Sequence, residues 1–201
     1  MVPVKGTAAG KTRMAPGLDQ RQRMLLVEAF ALDAVSALID SALVSRVIVV
    51  TDAAAGLSES LRALGADILP DPGAGLNAAV AAGIEEARGA SEGSTAVAAL
   101  LGDLPCLVTA DVDDALARAA AHPLAVVPDA EGSGTTLITA LPGVALVPRF
   151  GAGSAARHAE AGHAVLDMAP DSTLRLDVDT EQDLAAALAR GVGARTRAAW
   201  A

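Results

Sequence analysis

The chain has 201 residues, enough for one α/β domain with a proper core and short for two, and its 15 Lys and Arg against 24 Asp and Glu leave a net charge of −9. That balance argues against a broad basic surface for duplex nucleic acid or an anionic membrane, so an anionic ligand must be met by a local site. A single cysteine, Cys106, excludes an intrachain disulfide, and with aromatics at 1% the core must be built from Ala, Val, Leu and Ile.

Short apolar runs alternate with longer helical patterns, the signature of a parallel sheet covered by helices on both faces. VPVK (2–5) opens as a strand and is followed by a Gly/Ala/Lys loop. Apolar positions at helical spacing run over 19–39. VIVVT (47–51) reads as a buried strand, 54–64 as a helix ending at Gly65, and DILPD (67–71) as the next strand. After DPGAG comes a helix over 76–88, then AVAALLGDLP (96–105), a strand running into a loop. Residues 110–121 read as a helix, and 123–130 and 136–146 as strands separated by EGSGT. A helix starts at Ser154, the candidate N-cap after Gly153. AVLDM and LRLDV read as two short strands, 181–190 as the last helix, closing at Gly191, and 194–201 as a polar end. The N-terminal residues lack the order of a signal peptide and no uncharged apolar stretch reaches about 18 residues, so a cytoplasmic location is expected.

LRLDVDT (174–180) places Asp177 and Asp179 two apart, on one face of an extended strand. Thr180 and Asp183 are explained as the capping box of the next helix. The two aspartates are not, and a divalent cation is the commonest reason for such a pair. Ligands of open α/β sheets gather at the carboxyl ends of strands. Asp103 in LLGDLP stands at such an end, as a turn aspartate or as a third carboxylate completing a hard-oxygen set suited to Mg²⁺.

Three further stretches suit a nucleotide and its phosphates. VPVKGTAAGKTRM carries Lys5, Lys11 and Arg13 without the order of a P-loop, and a solvated basic loop is an equal reading. EGSGTT (131–136) and RFGAGS (149–154) are hydroxyl-bearing glycine loops, the second leading into a helix. Each alone is an ordinary turn, and together they suit an anion site. Asn77, after a glycine turn, could read a purine edge or a ribose, or cap a helix. His122, His158 and His163 are expected in surface or packing roles, and Cys106 as a buried small hydrophobe.

VPVK…AGKTRMAP, GLNAAV, GDLP, GSGT, PRFGAGSAARH and LRLDVDT, in this order over residues 2–190, resemble the guanylyltransferases of deazaflavin coenzyme biosynthesis, which act on 2-phospho-L-lactate or phosphoenolpyruvate. The resemblance implies a single GT-A-like nucleotidyltransferase domain over 1–201, α/β with a mixed, mostly parallel sheet flanked by helices. It implies transfer of GMP from GTP to a three-carbon phospho-acid with release of pyrophosphate. Asp103, Asp177 and Asp179 then match the Mg²⁺ ligands, Thr135, Gly151 and Ser154 the phospho-acid contacts, and Lys5, Lys11 and Arg13 the nucleotide-phosphate loop. Gly10 stands where the family usually has alanine before the lysine. Phosphoenolpyruvate is the expected acceptor, with phospholactate and 3-phosphoglycerate as alternatives. The implied partners are GTP and the phospho-acid, with no nucleic acid, no membrane, and a homodimer allowed. The rivals are a sugar-phosphate or molybdopterin nucleotidyltransferase of the same fold, whose first loop usually differs, and a GTP-binding module without turnover.

Overall fold

The computed structural model describes residues 1–5, 17–52, 55–90 and 94–201. In chain order these form β1 (Val2–Val4), α1 (Gln20–Ile39), β2 (Ile48–Thr51), α2 (Ala55–Leu64), β3 (Asp67–Pro70), α3 (Leu76–Ala90), β4 (Val97–Leu100), α4 (Thr109–Ala119), β5 (Leu124–Pro128), β6 (Thr135–Ala140), α5 (Ser154–Glu160), β7 (Ala164–Val165), α6 (Glu181–Arg190) and α7 (Ala194–Trp200). β1, β2 and β3 pair in parallel, with Val2 opposite Val49 and Ile48 opposite Asp67. β6 lies antiparallel between β4 and β5, and β7 adds to β5 in parallel. Met1 brings the two groups of strands together: its carbonyl accepts from Leu100 N at 3.1 Å and its amino group donates to Ala98 O at 2.7 Å. The outcome is an α/β architecture with mixed, largely parallel sheets. Among the described residues no helix is long and apolar enough to cross a membrane.

The pleat of the strands divides the apolar side chains between two cores. Leu100, Val127 and Leu137 join Val35 of α1, Leu61 of α2 and Val112 of α4. Val97, Ala99, Val126 and Ile138, at the alternate positions, pack with Val80 and Ile84 of α3 and with Phe150. Each such side chain contributes on the order of 1.5–3 kcal/mol when fully buried. A third cluster joins Leu26 and Phe30 of α1 to Cys106, Val178, Leu184 and Ala187.

Capping chemistry sets two helix starts. Asp19 and Gln22 form a reciprocal box at α1, and Thr180 and Asp183 do so at α6, as the sequence implies. The structure departs from the sequence reading at four places. Residues 194–201 are no polar end: α7 packs on α1, where the buried Asp33 carboxylate accepts from Arg195 N at 3.1 Å and Thr196 N at 2.8 Å, an acid at a helix start. The strand expected over 136–146 stops at Ala140, because Leu141 opens a turn closed by Val144 N donating to Leu141 O. AVLDM contributes only the two residues of β7. LRLDV is not a strand: Thr173–Arg175 form a 3₁₀ turn, and residues 176–179 continue as irregular chain.

Candidate active site

The path of residues 175–179 explains both the absent strand and the paired acids. Ala130 N, just beyond β5, donates to Arg175 O at 2.9 Å, and Val178 N donates to Asp103 O, just beyond β4, at 3.1 Å. The segment therefore crosses the ends of β5 and β4 rather than lying beside either. Val178 is buried in the cluster of Leu26, Phe30 and Leu184. Its burial pins the chain there, leaving Asp177 half-buried and Asp179 exposed on either side.

Asp103 and Asp179 line one cleft of about 240 Å³ together with Lys5, Asp71 and Gly102, so the ends of β1, β3 and β4 meet the start of α6 there. Gly102 is required by close approach: a Cβ would lie 3.0 Å from Val4 Cγ2 and 3.2 Å from the Pro3 carbonyl oxygen. Burial pushes the Asp177 carboxyl up to about 7, and the neighbouring charges of Asp103, Asp179 and Asp129 act in the same direction. Asp177 therefore feels both of the acids predicted to act with it, and a fourth that the sequence reading missed.

Asp129 shapes the adjoining turn. Its carboxylate accepts from Ser133 N at 3.0 Å and Gly134 N at 2.7 Å, and its carbonyl accepts from the Arg175 guanidinium at 2.9 Å. Thr135 follows, buried, at the first position of β6. The second glycine loop is tied to this one through Ala155 N, which donates to Ser133 O at 3.2 Å, while Ser154 N donates to Gly151 O at 3.0 Å. The N-cap of α5 is Gly153, not Ser154 as the sequence suggests. Its φ of 69° is a left-handed turn that favours glycine, and Ser154 becomes the buried first residue of the helix. Thr135, Gly151 and Ser154, distant in sequence, thus belong to one pair of joined loops.

Three side chains hold the segment that leads into this loop. Asn77 Oδ1 accepts from Phe150 N at 2.8 Å and its Nδ2 donates to Phe150 O at 3.1 Å. This clamp uses one hydrogen of Nδ2 and one lone pair of Oδ1, so Asn77 braces the loop. The Arg157 guanidinium donates to Arg149 O at 2.9 Å and also to Ala152 O. His158, fully buried, accepts from Arg149 N through Nε2 at 3.0 Å, and its Nδ1 lies 3.1 Å from Thr135 Oγ1. Burial lowers its pKa to about 4, with His163 acting in the same direction. His158 therefore links the two loops, more than the packing role the sequence implies. The signal was present: Ser154 and His158 lie four apart, on one helix face. Lys11 and Arg13 lie outside the described residues.

The family model described as guanylyl transferase CofC like matches residues 1–199. The chain belongs to this family. It is 46% identical over 232 residues to a phosphoenolpyruvate guanylyltransferase of Sanguibacter keddieii, covering 98% of this chain and 81% of that protein. It is 47% identical over 199 residues to a phosphoenolpyruvate guanylyltransferase of Streptomyces coelicolor, covering 98% and 93%. A solved structure from Desulfovibrio desulfuricans G20, assigned to the nucleotide-diphospho-sugar transferases, superposes with a TM-score of 0.69 at 22% identity, covering 91% of this chain and 82% of that one. The fold is of that type, and membership of the guanylyl transferase family makes the protein an enzyme of the nucleotidyltransferase class.

Nucleotidyltransferases generally work with a divalent cation. Among the described residues no group of three or more His, Cys, Asp or Glu side chains is placed to hold a metal ion by itself. Burial first, and then repulsion from Asp103, Asp179 and Asp129, raises the Asp177 pKa, and a divalent cation bound with its substrate would relieve that repulsion.

Proposed function

We propose that the protein transfers GMP from GTP to the phosphate of phosphoenolpyruvate, releasing pyrophosphate, and that Asp103, Asp177 and Asp179 hold Mg²⁺ for the reaction. The observation that carries this reading is the meeting of Asp103 with the Asp177–Asp179 pair across one backbone bond at the rim of the sheet. Support for the acceptor comes from the relatives named above, 46% and 47% identical over nearly the whole chain.

In the reaction a phosphate oxygen of the acceptor attacks the α-phosphorus of GTP. A new P–O bond forms as the bond from the α-phosphorus to the bridging oxygen breaks, and pyrophosphate leaves with that electron pair. The attacking phosphate has a second pKa near ~6 and is largely ionised at neutral pH, so no side chain has to remove a proton. The protein's task is to bring two anions together in line. Lys5 lies in the cleft with Asp103 and Asp179, where its ammonium would meet a triphosphate oxygen. Thr135, Ser154 and the amide of Gly151 would hold the phospho-acid in the joined loops. When bound, Mg²⁺ supplies positive charge to the triphosphate and the departing pyrophosphate. It commonly binds through one or two carboxylates plus substrate phosphates rather than an all-protein cage.

The test is to incubate the protein with GTP, Mg²⁺ and phosphoenolpyruvate, phospholactate or 3-phosphoglycerate in turn, and to measure pyrophosphate. Phosphoenolpyruvate should give the highest kcat/KM. No release above the GTP-only control with any acceptor would refute the reading.

A further inference from the structure

We propose that His158 is the positioning residue of the phospho-acid pocket: as the Nδ1–H tautomer it donates to Thr135 Oγ1 and so leaves that hydroxyl's own hydrogen for the ligand. The inference rests on the assignment of Thr135, Gly151 and Ser154 to the phospho-acid in the reading above.

The tautomer follows from one donor. Arg149 N is a backbone amide that can only donate, and it lies 3.0 Å from Nε2, so Nε2 presents its lone pair. A neutral imidazole then carries its single hydrogen on Nδ1, 3.1 Å from Thr135 Oγ1 and shared with the Ser154 backbone of the same helix. A hydroxyl that accepts an N–H bond keeps its hydrogen available for a second acceptor. Thr135 is 4% exposed, so the direction of that O–H is set by the protein rather than by bulk water. In the opposite tautomer Nδ1 would be the acceptor, and Thr135 would donate to the ring instead of to a phosphate or carboxylate oxygen.

The ring itself is held on every side. Its edge packs on Phe150 with centroids 5.4 Å apart, and His163 stands 5.1 Å away on another side. His163 Nδ1 lies 2.9 Å from the His158 carbonyl, fixing the backbone that carries the ring. One imidazole therefore spans the gap between the two glycine loops. It fixes the position of the 149–154 segment through Nε2 and the polarity of Thr135 through Nδ1.

Two substitutions separate these jobs. In His158→Gln the amide oxygen can reach the Nε2 position and accept from Arg149 N, while the donor to Thr135 is lost. In His158→Asn the amide nitrogen can occupy the Nδ1 position and donate to Thr135, while the loop anchor is lost. With wild-type turnover established, His158→Gln should raise KM for the phospho-acid about tenfold or more, with KM for GTP within about twofold, the scale of one lost hydrogen bond to an anion. His158→Asn should lower Tm yet keep a phospho-acid KM closer to wild type. Thr135→Val should match His158→Gln, and the double variant should be no worse than Thr135→Val alone, because the two residues act through one bond.

An unchanged phospho-acid KM in His158→Gln, or an equal rise in both KM values, would overturn the proposal. A readout that needs no variant is the ¹⁵N spectrum of the His158 ring in the wild-type protein. Nδ1 should be protonated and Nε2 bare, and the reverse assignment would refute the mechanism even if both variants failed to fold. Absence of wild-type turnover with every phospho-acid would instead count against the proposed function, and the ring spectrum would still report the tautomer.

Discussion

Around Asp177 the backbone is pinned by the buried Val178 and two hydrogen bonds, while the carboxyl is crowded by like charge and pushed up to about 7. Around His158 the arrangement is reversed: the ring is neutral, both nitrogens have partners, and the neighbouring loop is further clamped by Asn77 and Arg157. The acidic rim sets like charges close enough to help raise the Asp177 pKa, which suits a cation and a nucleotide arriving from outside. The glycine-loop cradle is balanced before any ligand arrives and presents fixed geometry. Repulsion is tolerated where a ligand will remove it, and excluded where position is the requirement.

The largest effect separating the two regions should come from Asp177→Asn. In the proposed reaction Asp177 helps to hold the cation, so removing its charge should lower kcat/KM by roughly 10³-fold, several kcal/mol of transition-state stabilisation. Tm measured without metal should stay the same or rise, since a carboxylate disfavoured by burial and by its neighbours has gone. Pyrophosphate release and a thermal melt check both halves, and near-wild-type turnover would remove Asp177 from the site.

A change of pH should destabilise the cradle in a defined window. The folded His158 pKa is lowered to about 4, below its ordinary 6.5, by burial first and then by His163, Arg157 and Arg149, while its bond to the Ser154 backbone acts in the opposite direction. A depressed folded value means that the unfolded chain takes up the proton first. The stability that neutral His158 contributes is therefore present above about pH 6.5 and is lost as pH falls toward 4, at up to about 1.4 kcal/mol per pH unit. His163, also lowered by burial, adds to the same loss. Asp177, raised to about 7, gives the opposite slope over the same range, so the His158 contribution is read as the extra loss of urea midpoint in wild type over His158→Gln from pH 7 to 4, which should widen as pH falls.

Asn77→Ala should act on the cradle with smaller consequences. It removes both bonds to the Phe150 backbone and costs about 1–3 kcal/mol if that amide and carbonyl are left unsatisfied. In a chain of this size that corresponds to a Tm loss of roughly 2–4 °C per kcal/mol. The phospho-acid KM should rise more than the GTP KM, because the clamp positions the glycine loop rather than the acidic rim. Equal changes in both constants would erase the distinction between the regions.

The alternation of strands and helices, the Thr180–Asp183 capping box and the unusual Asp177–Asp179 pair are legible in the sequence because each depends on residues close together along the chain. The crossing of 175–179 over two strand ends is not, because it depends on Asp103 O and Ala130 N, far off in sequence. The start of α7 depends on Asp33 from α1 in the same way. Asn77 was legible as a polar residue at a helix start, but its partner lies 73 residues away. The sequence supports only a surface or packing role for His158, because its partners Arg149 N and Thr135 come from other elements.

The smallest effect should come from charge outside either region. Arg46 Nε lies 2.6 Å from Asp67 Oδ2 and its Nη2 3.1 Å from Glu86 Oε1, a surface arrangement joining β3 to α3. All three side chains are well exposed, so water screens the attraction and the long side chains lose entropy in making it. Arg46→Ala should cost no more than about 1 kcal/mol, a loss that shrinks further at high salt, and should leave both KM values unchanged. A large loss of turnover would mean that charge acts on the site across the sheet, and the distinction between a charge-crowded rim and a hydrogen-bonded cradle would then have to include the outer face of β3.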